Sequence, residues 1–167
     1  MVRAIMHGCN GHMGQVITGL IKADEGIELV AGIDKYTGIA NDYPVFESLE
    51  KCDVEADVII DFSNAAAADA LLTYCEEKKM PVVLCTTGLS EEQLAKIPEA
   101  AKKTAVLKSA NMSLGINLLM KLLKEATKVL APAGYDMEIV EKHHNQKLDA
   151  PSGTAIALAD SMNEAMD

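Results

Sequence analysis

Short apolar runs rich in β-branched residues alternate with longer stretches of helical period along most of this chain, and that alternation leaves few folds open. Val2–His7 is an apolar run halted by Gly8, and Met13–Ala23 follows with Val16, Ile17, Leu20 and Ile21 on one helical face. Glu28–Asp34, Ala56–Phe62, Pro81–Thr86 and Thr104–Ser109 read as further strands. Helices are expected from Asn64 to about Lys78, after Ser90, and over 115–130. Nearly continuous apolar strands are buried on both faces, and strand–helix–strand crossovers make them parallel. The prediction is an α/β chain with a doubly wound parallel sheet. After Pro132 the pattern changes. Tyr135–Lys142 alternates like a half-buried strand, a polar loop follows over 143–149, and Pro151-Ser152-Gly153-Thr154 opens an apolar helix. We therefore expect a sheet domain over 1–114 and the beginning of a second, α+β domain over 115–167.

Charge and composition exclude whole classes of function. Fifteen basic against twenty-five acidic side chains give a formal charge of −10, a field that repels phosphate backbones, so no nucleic-acid partner is expected. Without Trp, and with two Phe, the chain lacks the aromatic platforms on which single-stranded bases stack. No apolar run reaches the ~18 residues of a membrane span. The N-terminus turns polar and glycine-rich after about six residues, too soon for a signal peptide, so a cytoplasmic location is expected. Cys9, Cys52, Cys75 and Cys85 contain no C-x-x-C pair and read as reduced structural thiols; no metal site is expected.

The run Gly8-Cys9-Asn10-Gly11-His12-Met13-Gly14 leaves the first strand and enters the first helix. Glycines there allow a turn of positive φ and close approach of backbone to a pyrophosphate, whose charge is met by N–H groups at the helix start. The spacing is G-x-x-G-x-x-G, which alone also fits an ordinary tight turn. Asp34 ends the second strand twenty residues beyond Gly14, where a carboxylate accepts hydrogen bonds from an adenosine ribose. Lys35 beside it offers a cation for a 2′-phosphate, so NADH and NADPH are both candidate cofactors of a Rossmann-type domain. Two more strand ends should border the same crevice. At Cys85-Thr86-Thr87, small side chains would admit a nicotinamide; at Ser109-Ala110-Asn111-Met112, Asn111 offers a carboxamide partner.

A second constellation lies at 141–154. Glu141-Lys142-His143-His144-Asn145-Gln146-Lys147-Leu148-Asp149 gathers groups suited to proton transfer in one loop. Adjacent His rings cannot easily converge on one ion, so a metal is disfavoured against acid–base chemistry or a solvated loop. Directly after it, Ser152, Gly153 and Thr154 start a helix with hydroxyls and open N–H groups, a seat for a small carboxylate.

The run Glu141–Ala155, EKHHNQKLDAPSGTA, resembles the signature of the 4-hydroxy-tetrahydrodipicolinate (dihydrodipicolinate) reductase family, whose pattern E-x-H-H-x-x-K-x-D-A-P-S-G-T-A it matches without a gap. GCNGHMG, CTTG at 85–88 and SANMSLG at 109–115 fall where that family contacts its cofactor, and the resemblance spans essentially the whole chain. It implies NADH- or NADPH-dependent reduction of a cyclic imine dicarboxylate in diaminopimelate and lysine synthesis. His143 would be the proton donor/acceptor and Lys147 the proton donor. His144 would contact substrate, and Gly153 and Thr154 would hold a carboxylate, beside the Ser152 already read as part of that helix start. Gly8–Met13, Asp34, Cys85–Thr87 and Ser109–Met112 would line the dinucleotide, with Lys35 beside them as read above from its charge. The family also implies a homo-oligomer, a tetramer. Cys85 stands where the family commonly has glycine and Met112 where Phe is frequent. The chain stops at Asp167, before the family's later strands, and is expected to be a fragment or shortened form. A non-catalytic dinucleotide-binding module and a different small-acid dehydrogenase on the same fold are the alternatives.

Overall fold

The computed structural model describes residues 1–145 and 150–166. Six parallel strands form one sheet in the order β3-β2-β1-β4-β5-β6. They are β1 (Val2–His7), β2 (Ile27–Ile33), β3 (Val45–Phe46), β4 (Val58–Asp61), β5 (Val82–Leu84) and β6 (Val106–Lys108). The crossover helices are α1 (His12–Ile21), α2 (Ala68–Lys78) and α3 (Glu91–Ala101). The chain runs outward from β1 to β3 on one side, then returns to start β4 on the other. The order therefore reverses between β1 and β4, and a crevice opens there beyond their carboxyl ends.

The sheet is held by its apolar strands. Ile5, Ile33, Ile59, Leu71, Leu72 and Leu84 are buried in one cluster, each contributing roughly 1.5–3 kcal/mol on removal from water. Local chemistry sets the helix starts. Ser90 accepts from the Gln93 backbone N–H while the Gln93 side chain accepts from Ser90 N–H, a reciprocal cap that begins α3. Asn64 accepts from Ala66 N–H and starts a 3₁₀ turn over Ala65–Ala67 that leads into α2. The two-residue β3 and the 3₁₀ turn at Leu49–Lys51 were not expected from the sequence.

The Cα positions divide into two compact units, Met1–Ser109 and Ala110–Asp167. The second contains α4 (Leu114–Leu130) and α5 (Gly153–Asn163). Ser113 and Ser152 cap them, and they are tied by Ser161 Oγ donating to the Met120 carbonyl and by Lys124 with Glu164. The strand expected over Tyr135–Lys142 is not formed; 135–144 is irregular. Alternating apolar residues make a strand only where an edge offers hydrogen bonds, and this unit has no strand among its described residues. No helix among the described residues is long and apolar enough to cross a membrane.

Candidate functional site

In the first unit the predicted glycine run forms the turn from β1 into α1. Gly8 has φ +81°, and a Cβ there would lie 2.7 Å from the Phe62 carbonyl oxygen. A Cβ on Gly14 would come within 2.1 Å of the Gly8 carbonyl oxygen. The turn thus requires glycine at both places, as a phosphate cradle does. Helix α1 begins at Gly11 without a side-chain cap and without an acid in its first turn. The N–H groups of His12, Met13 and Gly14 lack intrahelical acceptors and carry the positive end of the helix dipole.

Asp34 sits at the end of β2, and its two carboxylate oxygens accept from the backbone N–H groups of Asn10 and Tyr36, each at 3.0 Å. The carboxylate is therefore fixed beside the glycine turn, with lone pairs remaining on both oxygens. The Asn10 side chain is committed to the neighbouring loop: it donates to the Tyr36 carbonyl and accepts from Asn41 at 2.8 Å. The Cys9 thiol is buried, and burial with the Asp34 charge pushes its pKa up to about 11. It behaves as a small apolar side chain under the turn.

A cavity of about 360 Å³ opens at the switch between β1 and β4, lined by Gly8, Gly11, Asp34 and Lys35 from the predicted set. His7, Phe62 and Ser63, none of them expected from the sequence, also line it. Beneath them lies fully buried Asp61. Its Oδ1 accepts from Ser63 Oγ at 2.6 Å and lies 2.8 Å from His7 Nδ1, which is not aligned for a hydrogen bond. Cys85 and Thr86 are buried while Thr87 is exposed, and Thr86 turns its hydroxyl to Ser63 Oγ at 3.4 Å. So Thr86 supports the floor of the crevice.

Burial opposes ionisation of Asp61, but the adjacent His7 imidazole, together with the hydroxyls of Ser63 and Thr86, outweighs it and holds the carboxyl below the usual carboxylate range. Asp61 thus ionises more readily in the folded chain than in the unfolded one. Its contribution to stability is full above about pH 3.9, the unfolded value, and is lost as pH falls through the lower folded value. Asp61→Asn is expected to cost about 1–3 kcal/mol near neutral pH and to flatten the acid limb of the stability curve. Urea unfolding at several pH values measures both; an unchanged acid limb would remove Asp61 as its cause.

In the second unit the structure joins residues far apart in sequence. Asn111 Nδ2 donates to Thr154 Oγ1 at 2.9 Å, linking a predicted cofactor contact to a predicted substrate contact. Ser152 is buried and caps α5 through its hydroxyl to Ala155 N–H at 3.0 Å, leaving Gly153 and Thr154 in the first turn. His143, His144 and Met112 are exposed, and Ser109 and Ala110 are half-buried. The Lys147 assignment lies outside the described residues.

Residues 2–112 match the family model described as dihydrodipicolinate reductase, N-terminus, and residues 115–167 match that of dihydrodipicolinate reductase, C-terminus. The chain is 49% identical over 166 residues to the 4-hydroxy-tetrahydrodipicolinate reductase of Clostridium novyi, covering 99% of this chain and 66% of the relative. It is 52% identical over 166 residues to that of Caldanaerobacter subterraneus subsp. tengcongensis, covering 99% of this chain and 65% of the relative. The chain thus spans just under two thirds of the length of these relatives. Among solved structures, the dipicolinate-bound dihydrodipicolinate reductase from Paenisporosarcina sp. TG-14 superposes with a TM-score of 0.78 at 31% identity, over 99% of this chain and 66% of that one. With models of both halves matched nearly end to end, this chain belongs to the dihydrodipicolinate reductase family.

Proposed function

We propose that the chain acts as an NADH- or NADPH-dependent reductase of a cyclic imine dicarboxylate, taking 4-hydroxy-tetrahydrodipicolinate to tetrahydrodipicolinate in diaminopimelate and lysine synthesis. The observation that carries this reading is the unbroken signature Glu141–Ala155, in a chain similar over 99% of its length to a reductase solved with dipicolinate bound. A dinucleotide fits the first unit. The glycine turn leaves a cradle that a Cβ would fill, the first-turn N–H groups of α1 suit a diphosphate, and the cavity lies within the usual range of ligand clefts. When bound, the reduced dinucleotide supplies hydride.

The chain's own groups do the rest. Gly8, Cys9, Asn10, Gly11, His12 and Met13 supply the diphosphate cradle, and Asp34 keeps lone pairs for ribose hydroxyls. Cys85, Thr86, Thr87, Ser109, Ala110, Asn111 and Met112 border the nicotinamide end. Ser152, Gly153 and Thr154 present the start of α5 to a substrate carboxylate, with His144 as a further contact. A ring carbon that accepts hydride needs a proton at the adjacent nitrogen; Lys147 delivers it and His143 exchanges it. A sheet domain over 1–114 and a substrate domain over 115–167 belong to the same reading. So do a cytoplasmic location and a homo-oligomer, the latter supported by exposed Leu118, Leu122 and Val129 on α4.

Turnover of the imine with NADH, followed by loss of nicotinamide absorbance, tests the activity. NADH binding with no turnover of this substrate would favour the non-catalytic module. Asp34 beside Lys35 on the cavity wall predicts that NADH and NADPH bind within about a hundredfold of each other, roughly 2.7 kcal/mol. Calorimetric titration of each at two salt concentrations measures the ratio. A wider gap would mean that one of the two side chains does not reach the ribose.

A further inference from the structure

Glu141 faces both halves of the signature. Its Oε1 accepts from the Ser152 backbone N–H at 2.8 Å, and its Oε2 lies 3.5 Å from His143 Nδ1. The carboxylate is about a quarter exposed, while Ser152 is buried and anchors α5. One side chain thus touches the residue that starts the candidate carboxylate seat and the imidazole proposed to move a proton. The second distance is long for a hydrogen bond, but such contacts are often long in unliganded sites and tighten with substrate.

We infer that Glu141 is a positioning residue that fixes the tautomer of His143 and ties it to the carboxylate seat at Ser152–Thr154. The chemistry follows from donor and acceptor counting. A carboxylate has only acceptors, so an imidazole turning Nδ1 toward it must carry its proton there, leaving Nε2 as the nitrogen that takes or gives a proton. A neutral imidazole in water otherwise favours the Nε2–H form. Because the other oxygen holds Ser152 N–H, His143 keeps its register with the helix start. This inference rests on the reductase reading for its kinetic consequence; the tautomer does not depend on it.

Glu141→Gln separates the two contacts. With its amide oxygen on Ser152 N–H, the amide nitrogen must face His143 and present a donor, which forces Nδ1 to become the acceptor. Nitrogen-15 NMR of the unliganded chain at a pH where imidazoles are neutral, assigned with His143→Gln, reads the tautomer directly. The expected result is Nδ1–H in the native chain and Nε2–H in Glu141→Gln. Finding Nε2–H in the native chain, or Nδ1–H unchanged in the variant, overturns the inference. In turnover, Glu141→Gln should lower kcat by about 10–100-fold, taken by analogy from the hydrogen-bond partners that orient metal-bound histidines, with KM within about threefold because the Ser152 contact survives. Pyridine-2,6-dicarboxylate binding, measured by calorimetry, should likewise hold in Glu141→Gln and weaken in Glu141→Ala, which loses both contacts. Equal affinity for all three proteins would overturn the tie to the carboxylate seat. A native chain that binds no dicarboxylate and turns over no imine would sink the reductase reading instead, while the tautomer comparison still decides the role of Glu141.

Discussion

Gly14→Ala is expected to lower NADH affinity by at least about a hundredfold, roughly 2.7 kcal/mol, and to lower the melting temperature. The added methyl would sit 2.1 Å from the Gly8 carbonyl oxygen and 2.7 Å from that of Cys9. Both are backbone atoms of the turn, so no side chain can swing aside; the turn itself must move. Overpacking of this kind typically costs about 1–3 kcal/mol, or about 5–15 °C for a domain of this size. Displacing the turn also moves the Asn10 N–H off Asp34 and separates the carboxylate from the cradle it borders. Gly19 is the internal control. It lies in the same helix, and a Cβ there meets nothing within 4 Å, so Gly19→Ala should leave binding intact and stabilise by up to about 1 kcal/mol. Fluorescence titration with NADH and thermal unfolding of the two variants give the comparison. Native-like NADH affinity in Gly14→Ala would show that the turn does not seat the diphosphate.

The parts of this molecule legible in its sequence are those set by local periodicity. The apolar run Val2–His7, the glycines after it and the face of α1 are a contiguous pattern, and Asp34 falls at a fixed distance from them. The Ser90–Gln93 cap is equally local. The strand Val45–Phe46 escaped because two residues after Pro44 carry no period; its hydrogen bonds come from β2, not from its own composition. Asp61 read as the last residue of an apolar strand. Its partnership with His7, 54 positions earlier, exists only because β1 and β4 are adjacent in the sheet. Asp61 and Ser63 stand at the carboxyl end of β4 as Asp34 stands at that of β2, so strand-end position is the signal that marks them. Tyr135–Lys142 misled for the opposite reason: its alternation is real, but pairing is a property of two strands. The links from Asn111 to Thr154 and from Glu141 to Ser152 are long-range closures that no spacing rule anticipates.

His143→Ala is expected to lower kcat for the imine by about 10²–10⁴-fold, the usual yield of a positioned acid–base group, with NADH affinity changed by less than about threefold. The separation follows from where the groups lie. The glycine turn and Asp34 belong to the unit Met1–Ser109, and no described hydrogen bond of either runs to His143. His143 is exposed in the unliganded chain, so its removal opens no cavity and leaves no buried donor behind; folding should be little affected. A fall in kcat with unchanged melting temperature and unchanged NADH binding therefore isolates proton handling from structure. Lys147→Ala should act on the same step, and the double variant should lose much less than the product of the two single losses, because groups that move one proton act as a unit. Losses that multiply would mean that the two residues serve different steps. Equal damage to NADH binding by His143→Ala would instead make the loop a structural support of the nucleotide site.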